Sequence, residues 1–145
     1  MKHNLEEGGR WLSQARFDLE ATRWLLKGRF WWEVCFKSQQ TSEKALKAYL
    51  YARGKRAVLG HALLELGREC ARFDVDFEKL SSDYRQLDRY YITTRYPNSL
   101  PGSIPAEYFE EDEAREALAL AEQIVTLVEN KLQVLEAKDN ETERT

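Results

Sequence analysis

The chain has 145 residues, 43% of them apolar and 32% charged, with three prolines and seven glycines. That is one ordinary domain with material for a single core, and it excludes a disordered chain. The net charge of −3 supplies no global attraction to nucleic acid and leaves room only for a local basic patch.

No apolar run approaches the ~18 residues that a membrane span needs, and the opening MKHNLEEGGR carries no apolar signal core. A cytoplasmic protein without membrane contact is therefore expected. Cys35 and Cys70 are too few for a disulfide framework and lack CxxC spacing, so they read as free buried thiols.

Met1 to Glu7 reads as a frayed leader. From Gly8 to Lys27, Leu12, Ala15, Leu19, Thr22 and Leu26 recur at three-four spacing, an amphipathic helix that stops at Gly28. Phe17 and Trp24 project from the opposite side. Large aromatics there suggest a second contact, most simply a homodimer interface to which Trp31 is added. Helices that cross at an angle and bury two stripes are the alternative.

Arg29 and Phe30 form a tight connection to a second helix from Trp31 to Arg53, which makes the pair an αα-hairpin. Gly54 to His61 reads as a loop with a basic start, followed by a short third helix with Leu63, Leu66, Gly67 and Cys70 inward. After a break at Phe73 to Phe77, a fourth helical stretch covers Glu78 to Ile92. Thr93 to Tyr108 holds all three prolines and reads as a long irregular loop, of the kind usually reserved for function or motion. The last helix opens acidic, Glu110 to Glu113, at the positive end of its dipole. Its apolar stripe runs from Ala114 to Leu135, and residues 137–145 read as a flexible charged tail. The fold class is all-α: an antiparallel up-and-down four-helix bundle over residues 1–136, with a short additional helix.

The second helix holds the anomaly. Trp32, Phe36, Leu46 and Leu50 share one arc of roughly 80°, and Gln39 and Glu43 fall inside it. Burying an amide or a carboxylate without partners costs on the order of 2 kcal/mol or more. The fold must therefore bring donors to them. His61, at the mouth of the third helix, can donate to Glu43 or stack on a base. Arg95 has the planar fork suited to carboxylate or phosphate, and Tyr91 and Tyr96 flank it with stacking faces. Lys44 and Lys47 lie on the edge of the same helix, within reach of a phosphate. These residues fit a purine-nucleotide pocket, and equally a buried Glu43–Arg95 pair that pins the long loop.

Other chemistries fit less well. GKRAVLG lacks the spacing of a phosphate-binding loop and follows a helix, two distant histidines and two isolated cysteines make no zinc site, and nothing sets Ser38 or Ser42 beside His61. No cofactor is expected.

WLSQARFDLEAT, SQQTSEKALKAYL, GHALLEL and YYITTRYPN, in that order along nearly the whole chain, resemble the HEPN family of small helical bundles. The resemblance implies an antiparallel four-helix bundle, commonly dimeric, often encoded beside a minimal nucleotidyltransferase partner in toxin–antitoxin-like pairs, with a role in nucleotide or RNA biology. Many members of that family are metal-independent ribonucleases using an arginine and a histidine four to six residues apart, one stabilising the phosphorane and the other moving the proton. Here Arg95 has no histidine after it. Arg56 and His61 match the spacing as RAVLGH, but in the loop between helices two and three. The resulting expectation is a non-catalytic protein that binds a nucleotide or a nucleotidyltransferase partner. A ribonuclease using Arg56 or Arg95 with His61 is the first alternative, and a purely structural subunit the second.

Overall fold

The computed structural model describes residues 1–144. It is all helical, with no strand among the described residues. Three long helices carry it: α1 (Lys2–Lys27), α2 (Trp31–Ala52) and α7 (Glu111–Arg144). Each packs on the other two, and α1 and α2 form the expected hairpin. The remaining position of the bundle is filled in pieces by α3 (Leu63–Ala71), a 3₁₀ turn (Val75–Leu80) and α4 (Ser81–Asp88). Short turns α5 (Tyr90–Thr93) and α6 (Pro105–Tyr108) bracket the proline-rich loop. No helix is long and apolar enough to cross a membrane.

The core follows from the three-four stripes. Leu46 and Leu50 of α2, Leu63 of α3, Phe77, Tyr84 and Leu87, and Ile124, Val125 and Val128 of α7 are all buried. Tyr84 keeps its hydroxyl satisfied by donating to the Phe77 carbonyl at 2.8 Å. Cys35 and Cys70 are free and buried. Burial, with Glu113 adding to it, pushes the Cys35 thiol up to about 12, and burial raises Cys70 as well. Both therefore stay protonated and unreactive at neutral pH.

Four expectations are corrected. Met1 to Glu7 is not a loose leader: α1 begins at Lys2 because Leu5 and Gly8 extend the buried stripe by another turn. A Cβ on Gly8 would stand 2.7 Å from the Ala48 carbonyl oxygen, so α1 and α2 approach closely there. The fourth helical stretch is divided into the 3₁₀ turn, α4 and α5, although Arg89 between the last two keeps helical φ and ψ. The long loop contains two single turns, Pro97–Ser99 and Pro105–Tyr108, each opened by a proline whose fixed φ suits a first helical position. Finally, α7 continues past its last buried residue, Leu135, to Arg144, so the expected tail from 137 is exposed helix as far as the structure describes it. Thr145 lies outside the described residues.

Side chains cross-link the frame. Lys44 reaches Asp18 from α2 to α1. Arg16 and Arg23 reach Glu129 and Glu122 from α1 to α7. Lys131 joins α7 to Asp74 and Asp76 at the 3₁₀ turn, at 2.7 and 2.6 Å.

Candidate functional site

Gln39, Glu43 and Lys47 stand at i, i+4 and i+8 on α2, one above another on a single face. Gln39 is completely buried, and its Nε2 donates to the His61 carbonyl at 2.9 Å. That bond ties the 54–61 loop to the middle of α2. Among the described residues its Oε1 finds no hydrogen-bond partner, and neither do the hydroxyls of Ser38 and Thr41 nearby on the helix.

Glu43 is almost covered, with 12% of its side chain exposed, and two donors reach it. Lys47 Nζ lies 3.1 Å from Oε2, and His61 Nδ1 lies 3.1 Å from each carboxylate oxygen. A carboxylate only accepts, so Nδ1 carries the proton. In the neutral ring Nε2 is then the open lone pair.

The rest of the cluster stacks outward from His61. Its ring lies against Tyr91, centroids 5.1 Å apart and planes within 19°. Tyr91 also carries Arg95, whose guanidinium carbon is 4.6 Å from the ring centre. The same guanidinium is 5.1 Å from Tyr96 and 5.3 Å from Phe36. At an exposed site each such contact attracts the cation by about 0.5–1 kcal/mol. Lys47 in turn lies 5.9 Å over Trp11, which stacks on Tyr51.

The internal Glu43–Arg95 pair is absent. Glu43 is occupied by Lys47 and His61, and among the described residues no carboxylate stands within ion-pair distance of Arg95. The physical reason is reach: Arg95 stands two residues past the end of α5, and the aromatic rings around it hold its exposed fork on the outside of the bundle. Glu43 and Lys47 offset each other, so Arg95 is the uncompensated charge of the cluster, reinforced by His61 when the imidazole is protonated.

All six residues expected with Glu43 thus join it in a chain of contacts: Gln39, Lys47, His61, Tyr91, Arg95 and Tyr96. Arg56 does not. It lines a separate groove with His3, Asn4, Glu7, Tyr51, Gly54 and Lys55, of which His61 is not a part. Tyr91 is also no free stacking face, since His61 and Arg95 occupy its ring, whereas Tyr96 is half exposed. Of the three aromatics expected to be exposed, Phe17 and Trp24 are 68% and 66% exposed, while Trp31 is half-buried against the core.

Asp88 escaped the sequence reading. Its two carboxylate oxygens accept from the backbone N–H groups of Leu63 at 2.7 Å and Leu64 at 3.1 Å, capping α3 from 25 residues away. Burial raises the Asp88 carboxyl above its usual range, with the two N–H donors and Gln39 acting against that shift. A signal was available: α3 starts after Ala62, which has no capping oxygen, so the first N–H groups of α3 had to find an acceptor elsewhere.

A model of the HEPN domain matches residues 9–131. The chain belongs to the HEPN family. A protein of Methanocaldococcus jannaschii named "Putative toxin MJ1304" is 28% identical over 88% of this chain and 89% of its own length. Human sacsin is 31% identical over 90% of the chain, which spans only 3% of sacsin. Among solved structures, TT1696 from Thermus thermophilus is similar, with a TM-score of 0.81 and 40% identity over 86% of this chain and 98% of that one. A second, ST0689, described as an archaeal HEPN homologue, has a TM-score of 0.72 and 29% identity over 87% and 98%. The family and the helical fold inferred from the four sequence motifs are therefore established.

Proposed function

We propose that this HEPN protein binds a phosphate-bearing ligand, a nucleotide or an RNA end, at the surface formed by His61, Arg95 and Tyr96, without cleaving it. The observation that carries the reading is the state of Arg95. An arginine that serves the fold is normally closed by a carboxylate. This one is held by three aromatic rings, with its fork unpaired by any acid among the described residues, beside a histidine that is 57% exposed. Five fixed donors in a plane match phosphate oxygens, and aromatic backing lowers the entropy lost when they engage. Glu43 and Lys47 act from behind by fixing the imidazole. A second copy of the chain or a nucleotidyltransferase partner docks elsewhere, on the Phe17–Trp24 side of α1.

One observation favours a second reading. The Glu43 carboxylate on Nδ1 leaves His61 poised to take a proton at Nε2, with Arg95 on the same tyrosine, an arrangement suited to metal-independent RNA cleavage. One set of titrations separates the two. Calorimetry with ATP, GTP and a short RNA is expected to show binding that weakens at least tenfold in Arg95→Ala, with the melting temperature within a few degrees of the parent. Loss of the fold in that variant, or no heat with any ligand, would sink the binding reading. The same RNA held in a chelator should stay intact; cutting that disappears in His61→Ala would instead establish the ribonuclease.

A further inference from the structure

On the other side of Arg95 runs a groove of about 510 Å³, lined by Trp32, Glu33 and Phe36 of α2 and by Pro97, Ile104 and Pro105 of the long loop. That is within the size range of small-ligand pockets. Its walls are mostly apolar and its loop side is stiffened by prolines. Trp32 is held edge-on by Phe30, with ring centroids 5.7 Å apart at 77°, and Phe36 lies under the Arg95 guanidinium. Glu33 sits in the first turn of α2. It is half-exposed and forms no ion pair among the described residues. A free carboxylate and a free guanidinium therefore line one aromatic cleft without meeting each other.

We infer that this groove is the base-binding half of the site and that Glu33 makes it select guanine. The inference rests on the phosphate-binding reading above and goes further by naming the base. The phosphate lies on Arg95 and the ring system lies against Trp32 and Phe36, as any base could. Selection comes from the carboxylate. An ionised carboxylate only accepts hydrogen bonds. The Watson–Crick edge of guanine presents two adjacent donors, N1–H and the 2-amino group, which match its two oxygens. Adenine presents one donor beside the bare N1 lone pair, which faces the carboxylate repulsively. A matched bidentate pair against a mismatched one discriminates by about tenfold or more.

The test is equilibrium binding of GMP, AMP and ribose 5-phosphate to the full chain and to Glu33→Gln and Ala106→Trp. Ala106 lines the groove and is exposed, so a tryptophan there fills the cleft without entering the core. GMP should bind about tenfold tighter than AMP, and Glu33→Gln should bring the two together while leaving ribose 5-phosphate unchanged. Ala106→Trp should weaken both nucleotides and spare ribose 5-phosphate. Equal affinity for GMP and AMP in the parent, or a guanine preference that survives Glu33→Gln, overturns the inference and leaves phosphate binding standing. No binding of any of the three overturns both.

Discussion

Gly28 and Arg29 divide between them the task that a single glycine usually performs at a helix end. The sequence expectation placed the stop at Gly28, yet Gly28 keeps a helical φ of −75° and Arg29 takes the left-handed one, at 66°. The end is closed by Phe30 N–H donating to the Leu25 carbonyl at 3.1 Å and Arg29 N–H to Leu26 at 3.1 Å. Gly28 is glycine for a different reason: a Cβ there would stand 2.6 Å from the Phe30 ring. A left-handed residue with a side chain costs about 1 kcal/mol. Arg29→Gly is accordingly expected to stabilise the protein by about 0.5 kcal/mol, the remainder being lost to unfolded-chain entropy. Gly28→Ala is expected to destabilise it by no more than about 1 kcal/mol, because the Phe30 ring it meets is 45% exposed and can turn aside. Urea denaturation of both variants checks the pair; equal and small effects would mean that the turn is indifferent to which residue is the glycine. The candidate site was legible to the same depth. Periodicity alone puts Gln39 and Glu43 on a buried face, and of the two roles open to the imidazole, donating to Glu43 or stacking on a base, the structure shows the first. Which cation would complete the pair was not legible: Lys47 is four residues away on the same helix, whereas Arg95 depended on how the long loop folds.

At the scale of elements, the long periodic helices were readable and the irregular middle was not, because residues 72–110 are organised by single side chains rather than by a repeating stripe. The clearest case is Lys131. It holds Asp74 and Asp76, and its hydrogen bond is the main reason that both carboxyls lie below their usual value of 3.8; Lys79 also assists at Asp76. The same contacts raise Lys131 above 10.5. Acids whose folded values are depressed contribute stability that is complete above the unfolded value. That contribution disappears as the pH falls through the folded values. The raised lysine contributes below its unfolded value and is lost only as the pH climbs past its folded one. The clasp between the 3₁₀ turn and α7 should therefore be fully formed from about pH 5 to pH 9, and it should open in acid only as the pH falls through the depressed folded values below 3.8. Lys131→Met is expected to melt a few degrees lower than the parent at pH 7, and that difference should close as the pH is lowered through 3.8 toward 2. A gap that persists unchanged at pH 2 would show that the lysine acts through its packing and not through its charge.

At the scale of the whole molecule, the outer face of α1 stands apart from the remainder of the surface. Phe17 and Trp24 lie seven residues apart, two turns along the helix, and expose about two thirds of their area. Lys27 stands 4.7 Å over the Trp24 ring, and the flanking Arg16 and Arg23 are already paired with Glu129 and Glu122 on α7. The two arginines beside this strip are thus paired within the chain while its aromatics are left uncovered, the composition of an interface core with a polar rim. A surface with one such strip can bury it against itself by a two-fold rotation, each α1 antiparallel to its copy, so that Phe17 of one protomer meets the Trp24 region of the other. The His61–Arg95 cluster lies on α2 and the elements after it, so pairing through the outer face of α1 would not cover it. The expected result is a dimer at micromolar concentration by sedimentation equilibrium. Trp24→Glu should shift it to a monomer, because the substitution removes the aromatic anchor and puts a carboxylate from each copy at the centre of a self-complementary patch, a desolvation that Lys27 beside it offsets only in part. The monomeric variant should still bind nucleotide with parental affinity. A parent chain that sediments as a monomer, or a Trp24→Glu dimer, would remove α1 from any self-association and leave its aromatic face to a partner of a different sequence.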